Sequence, residues 1–346
     1  MGTVGGVRGS FTIEARGAFS LVEGIRFLEA FDPVPYEAPP SGALEMAFAL
    51  EGSWQTVGVS VEPLGGGARA AGGDARAGGG VRGAGGGARA AGGVPGSEGV
   101  GGVRGRLFAA RPLTRAELSA ARTQVERILS LDVDGTGFAA VGERDPVVAG
   151  LQARYPGLRP VSFWSWYEAA AWAIIGQRMR ITQAATVRAR LAELFGETVE
   201  VNGRSLRAFP SPAALAQLPP REELPFGGLP GGKIDRLRAL GEAARRNEFD
   251  SASLRALPRD EALARLQELP GVGPFSAELI LLRGAGDPDH APTHESHLGA
   301  AVAHAYGLPS APSPSGLDEL SANWAPYRTW VSLLLRTAWQ EDRSAP

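Results

Sequence analysis

Residues 269–295 constrain this chain more than any other stretch. They read Leu269-Pro270-Gly271-Val272-Gly273-Pro274, then an apolar run to Gly284, and eleven residues later Glu295. Helical spacing of apolar residues runs over 260–269 and resumes over 274–283, so the chain between must turn tightly from one helix into the next. Pro274 suits the first position of the second helix, where its missing N–H would be unpaired anyway. Gly271 and Gly273 carry no side chain, so the turn can press its N–H groups against a phosphate, aided by the helix N-terminus behind it. Glu295 opens a further helix over 296–306.

The rest of the chain divides by periodicity. Phe11–Ala15, Leu44–Phe48 and Thr56–Val61 alternate as half-buried strands do, with helical spacing over 19–28 between them. A further strand is expected over 107–113 and a helix over 117–129. Helical segments follow at 164–176, 180–195, 232–247, 260–269, 274–283, 296–306 and 325–340. The segment 65–104 interrupts the strands with Gly, Ala and Arg, and GGGARAAGG occurs twice in it, at 65–73 and 85–93. It has almost nothing to bury and reads as a disordered insertion, whose Arg69, Arg76, Arg82, Arg89 and Arg104, with Arg106 just beyond, are either solvated or in reach of a polyanion. The expected organisation is an N-terminal α+β domain (1–64 and 105–150, the insertion lying between) and a helical domain over 151–346.

Composition excludes several classes. At 346 residues the chain can bury more than one core. It has no Cys, which rules out disulfides and a cysteine-ligated iron–sulfur cluster. Residues 1–20 lack an apolar run of useful length and nothing approaches a membrane span, so the chain reads as a soluble cytoplasmic protein. The formal charge of −2 gives no general basic excess. A nucleic-acid contact would need a local basic face.

Four further words accompany the turn: Tyr167-Glu168-Ala169-Ala170-Ala171-Trp172-Ala173-Ile174-Ile175-Gly176-Gln177, Trp324-Ala325-Pro326-Tyr327-Arg328-Thr329-Trp330, and the shorter Ser130-Leu131-Asp132-Val133-Asp134 and Pro156-Gly157-Leu158-Arg159-Pro160. In this order the set resembles the AlkA-like DNA-3-methyladenine glycosylases of the helix-hairpin-helix superfamily, over roughly residues 105–342. The resemblance implies an α+β protein: a small mixed-sheet N-terminal domain followed by an all-α core of two helical subdomains with a cleft between. It implies removal of alkylated bases from double-stranded DNA by a monomer, as a step of base-excision repair. A different lesion class, such as deaminated purines, would share the fold, and a catalytically silent damage-binding protein would keep the hairpin.

The resemblance assigns residues as follows. Glu295 takes the place of the family's catalytic Asp, either stabilising a developing sugar cation or merely capping its helix. Its extra methylene moves the carboxylate by roughly an ångström, and a shift of that order can cost about 100-fold in rate. Asp287 and Asp289 are nearby carboxylates whose setting suits turn formation. Leu269, Gly271, Gly273, Gln177, Arg178, Arg180 and His294 would contact DNA, with Arg178 filling the gap left by a flipped base. Phe275, Leu279 and Arg336 stand where the family lines its base pocket. Trp166 and Trp172 are either replacement walls or core. Phe275 also stands where strand-cutting members place a lysine nucleophile, and the chain's single Lys, Lys233, lies in what reads as the start of a surface helix. No cofactor is required, although the backbone carbonyls of 269–273 could hold a monovalent cation. His290, His294, His297 and His304 fall close together but lack the spacing of a helical zinc site.

Overall fold

The computed structural model describes residues 6–30, 36–64 and 101–344. Strands β1 (Gly6–Glu14), β2 (Leu44–Ala49), β3 (Thr56–Pro63) and β4 (Gly102–Ala109) form one sheet in the order β1-β4-β3-β2, and helix α1 (Leu21–Ala30) follows β1. Every neighbouring pair is antiparallel, so the sheet is not mixed as expected. The expected insertion also ends early. Residues 102–104 are the start of β4, Arg104 lies opposite Thr12, and Arg106 pairs with Glu62 at 2.9 Å. Its remainder, 65–100, with Arg69, Arg76, Arg82 and Arg89, lies outside the described residues.

Helices α2 (Arg115–Ile128), α3 (Ala139–Arg144) and α4 (Pro146–Arg154) follow the sheet. Thr114 and Glu117 start α2 by exchanging side-chain and backbone hydrogen bonds. The middle of the chain supplies α5 (Trp166–Gly176), α6 (Ile181–Phe195), the hairpin of β5 (Thr198–Val201) and β6 (Arg204–Arg207), α7 (Pro212–Ala216), α8 (Gly231–Arg245), α9 (Ser251–Ala256), α10 (Arg259–Leu266) and α11 (Pro274–Leu279). A π-helical turn, Ile280–Ala285, continues α11 and ends at Gly286 in the left-handed conformation. Helices α12 (Ser296–Tyr306), α13 (Pro314–Ser321) and α14 (Arg328–Ser344) complete the described chain. The β5–β6 hairpin lies against the sheet, where Val199 and Val201 come so close to Gly58 that a Cβ there would stand 2.4 Å from Val201.

Two large hydrophobic cores result. One unites the sheet and α1–α4 with α12–α14: Phe48, Val59, Leu107 and Ile128 share it with Leu298, Val302 and Leu334. The other is built from α5–α11 and the π turn. The chain is therefore divided as ends against middle, which corrects the expected boundary at residue 150. The cause is the apolar face of α14, which returns to α4 and α12. Helix α5 is apolar on nearly every side and runs through the second core, touching α6, α8, α11 and the π turn.

Candidate active site

The turn between α10 and α11 has the expected form. Leu269 and Val272 point into the second core, and the Val272 N–H donates to the Leu269 carbonyl at 3.0 Å. Gly271 has φ +87°, a conformation that a side chain disfavours, and a Cβ there would meet Arg236 at 2.5 Å. A Cβ on Gly273, at the N-cap of α11, would meet nothing within 4 Å. That open backbone face, at a helix N-terminus, is where an anion can lie.

The second basic loop is joined to this turn. The Gln177 amide N–H donates to the Gly271 carbonyl, and its Oε1 accepts from Arg236 at 2.8 Å. Gln177 is thus occupied within the protein, not held out toward DNA. Lys233 donates to the carbonyls of Ile175 and Gln177 at 2.6 and 2.7 Å, so it closes the C-terminus of α5. This corrects the reading of Lys233 as a surface residue: it is buried, and burial depresses its pKa. Between α5 and α6, Arg178 and Arg180 remain exposed, Arg178 at φ +51°.

A cavity of about 330 Å³ opens beside α11, at the seam between the two cores. Phe275 and Leu279 of α11, Phe27 of α1, Leu333 and Arg336 of α14 and Glu295 stand on its wall. Phe275 is half exposed at its edge. Trp166 is not on this wall. It is fully buried in the second core, 5.2 Å from the Phe249 ring and edge-on to Trp54, and Trp172 packs on that same core. Both belong to α5, which is apolar apart from Glu168, and neither lines this cavity.

Glu295 precedes α12 but makes no capping hydrogen bond with its side chain. Its Oε1 is paired directly with the Arg336 guanidinium on the cavity wall. The helix-cap reading therefore fails, and the carboxylate faces the pocket. Arg336 is largely buried, and desolvation lowers its pKa.

The loop leading to Glu295 is held from two sides. On one, the Arg328 guanidinium pairs with Asp289 at 2.7 Å, the Thr329 N–H donates to the Pro288 carbonyl, and the Thr329 hydroxyl donates to the His290 carbonyl. Asp287 accepts the Asp289 N–H, so both aspartates serve the turn. On the other side lies Glu278 of α11, which is buried. One oxygen accepts from the Thr293 N–H and hydroxyl at 3.3 and 3.1 Å and faces the His290 and His294 rings at 3.3 and 3.0 Å. The other accepts the His294 N–H at 3.2 Å. Burial alone would raise this carboxyl's pKa, but the hydrogen bonds from His290 and His294 carry it down to about 2. The exposed His294 ring has its Nδ1 on Glu278, which leaves Nε2 facing outward.

Glu278, Arg328, Thr329 and Lys233 are the contributors that the sequence did not disclose as site residues. Arg328 and Thr329 lay inside the Trp324–Trp330 word, which was their only signal. His297 stacks near Trp339 and His304 pairs with Asp342, and among the described residues no three metal-ligating side chains gather. No described helix is long and apolar enough to cross a membrane.

No protein-family model matches the chain. Among curated proteins it is 22% identical over 226 residues to a "DNA-3-methyladenine glycosylase" of Bacillus subtilis, covering 65% of this chain and 74% of that protein. It is 31% identical over 223 residues to a "Probable bifunctional transcriptional activator/DNA repair enzyme AlkA" of Mycobacterium tuberculosis, covering 64% of this chain but only 43% of that longer protein. Among solved structures, a 3-methyladenine DNA-glycosylase from Archaeoglobus fulgidus superposes with a TM-score of 0.66 over 94% of this chain and 97% of that one, at 20% identity. That likeness establishes the fold. Beside its hairpin and pocket carboxylate, the chain is thus similar in sequence to proteins named DNA-3-methyladenine glycosylase and AlkA, and it shares the fold of a solved 3-methyladenine DNA-glycosylase.

Proposed function

We propose that this protein is a monofunctional DNA glycosylase that hydrolyses the N-glycosidic bond of alkylated bases of the 3-methyladenine type, acting as a cytoplasmic monomer on double-stranded DNA in base-excision repair. One observation carries the reading: Glu295, free of capping duty, faces a base-sized cavity beside an open helix-hairpin-helix turn. The N–H groups near Gly273 and the start of α11 anchor a phosphate, and Arg178 and Arg180 meet the strand from the neighbouring loop. The flipped base enters between Phe275, Leu279 and Leu333.

As the bond from the sugar C1′ to the base nitrogen breaks, its electron pair leaves with the base and the sugar becomes an oxocarbenium ion. Glu295 stabilises that cation through Oε2 while Arg336 keeps Oε1 in place. The alkylated base leaves as a neutral molecule, and water then bonds to C1′ and releases its proton to solvent. The products are a free base and an abasic site. An N-alkylated purine is already cationic and leaves readily, so no further acid is needed. Among the described residues no amine lines the cavity: Phe275 stands at the lyase position and the single Lys is engaged at the C-terminus of α5. A monovalent cation on the hairpin carbonyls would share the Gly271 oxygen with Gln177 and the Leu269 oxygen with the Val272 N–H, as the second lone pair of each permits.

The test is base release from methylated duplex DNA. Glu295→Gln keeps nearly the same shape without the charge and is expected to release bases about 100-fold more slowly, with duplex binding retained. Release at the parental rate overturns the catalytic assignment.

A further inference from the structure

We infer that Glu278 is a positioning residue for catalysis: through its bonds to residues 290–294 it fixes the reach of Glu295 and ties that reach to the phosphate grip. The inference rests on the glycosylase reading. Its basis is the number and destination of the groups that Glu278 gathers. All of them come from three residues, His290, Thr293 and His294, and the next residue along the chain is Glu295. Two are backbone N–H groups, so the carboxylate fixes the path of the main chain as well as its side chains.

Filling a hole against the loop does not require a charge. Burying a carboxylate is costly unless every lone pair is met, and an apolar residue of similar size would pack at lower cost. Here the charge is buried and met on both oxygens. The two oxygens grip different parts of the loop: Oε1 takes His290 and Thr293, Oε2 takes the His294 N–H. Such a fork fixes orientation as well as distance.

The placement of Glu278 in α11 gives the fork its second role. It lies one helical turn after Phe275 and Pro274, in the same short helix that begins behind the open face of Gly273. It also stands on the cavity wall with Glu295. A phosphate seated on the start of α11 and a carboxylate seated on the catalytic loop are therefore fixed to one rigid element. Movement of α11 on gripping the strand is carried to Glu295 with no intervening side chain except Glu278. The opposite clamp, Arg328 and Thr329 on residues 288–290, acts farther back in the loop and leaves 293–294 to Glu278, while Arg336 holds the side chain of Glu295 itself.

The experiment compares Glu278→Gln and Glu278→Asp with the parent and with Glu295→Gln, measuring single-turnover base release from methylated duplex, duplex affinity and thermal midpoint. Glu278→Gln keeps the shape and one acceptor oxygen, so the fold and duplex affinity should persist while the release rate falls 10- to 100-fold, as for a carboxylate misplaced by about an ångström. The decisive arm is the double variant Glu278→Gln/Glu295→Gln. If Glu278 acts only by placing Glu295, it should be no slower than Glu295→Gln alone. Fully multiplicative losses, or a Glu278→Gln rate equal to the parent's, overturn the inference while leaving the role of Glu295 intact. An unaffected Glu295→Gln single variant instead sinks the catalytic assignment of Glu295 on which the inference rests, and absence of base release by the parent sinks the glycosylase reading itself. If Glu278→Gln unfolds, Glu278→Asp serves in its place under the same comparison.

Discussion

The contact between Glu295 and Arg336 sets what the longer carboxylate means at the scale of one residue. The family's Asp would end short of that guanidinium, so Glu295→Asp should lose its pairing and slow base release by about 100-fold. A parental rate in a release assay would show that this loop absorbs the missing methylene. Gly273→Asp tests the grip itself. Nothing within 4 Å obstructs the new side chain, so the fold should survive, while the added charge repels phosphate and weakens binding to all duplexes alike. Equal retention of parent and variant DNA affinity would place the grip elsewhere, with Arg178 and Arg180. Glu278 predicts a pH effect on stability. Its folded pKa of about 2 lies below the ordinary 4.5, so its contribution is complete above pH 4.5 and is lost as pH falls toward 2. That contribution is on the order of 3 kcal/mol, and Glu278→Gln should flatten the fall of the thermal midpoint over this window.

At the scale of the element, periodicity and punctuation made much of the fold legible. The helices at α5, α6, α8 and α12 lie within a few residues of where apolar spacing puts them, and the Pro274 start of α11 coincides. The β5–β6 hairpin escaped that reading, although Asn202-Gly203 is a strong two-residue turn signal and both residues have positive φ. The winding of Ile280–Ala285 into a π turn had no local signal. It is set from outside, where Gly284 presses against Trp166 and Ala169 of α5. Lys233 was misread because Gly231-Gly232-Lys233 is polar in sequence, whereas its function is decided by the α5 carbonyls above it. Glu278 was hidden for the same reason, since its partners lie in a loop that only tertiary packing brings near. Lys233→Met should leave those α5 carbonyls unmet and cost about 1–3 kcal/mol, read as a lowered thermal midpoint. Since this amine is engaged, borohydride should trap no adduct between the protein and an abasic site. A trapped band would make Lys233 the first residue to replace.

At the scale of the whole molecule, the antiparallel register of β3 and β4 predicts that the segment between them is dispensable. The Leu64 N–H already donates to the Gly102 carbonyl at 2.9 Å, so the strand ends meet without help from 65–100. Replacing 66–99 with a short Gly-rich turn should leave the thermal midpoint and base release unchanged. A large loss in either would show that the segment packs or touches DNA. The division of the cores as ends against middle has another consequence, for the order of events during synthesis. Helices α5–α11 share a core that needs nothing from beyond residue 285, so a growing chain can close it early. The sheet emerges first but cannot complete its own core until Leu334 and its neighbours on α14 arrive. Arg328, Thr329 and Arg336, which hold the loop before Glu295 and its carboxylate, belong to that same late helix. A nascent chain stalled before residue 328 would thus carry a finished hairpin and a Glu295 held only through Glu278, able to grip a strand before its carboxylate is fully seated.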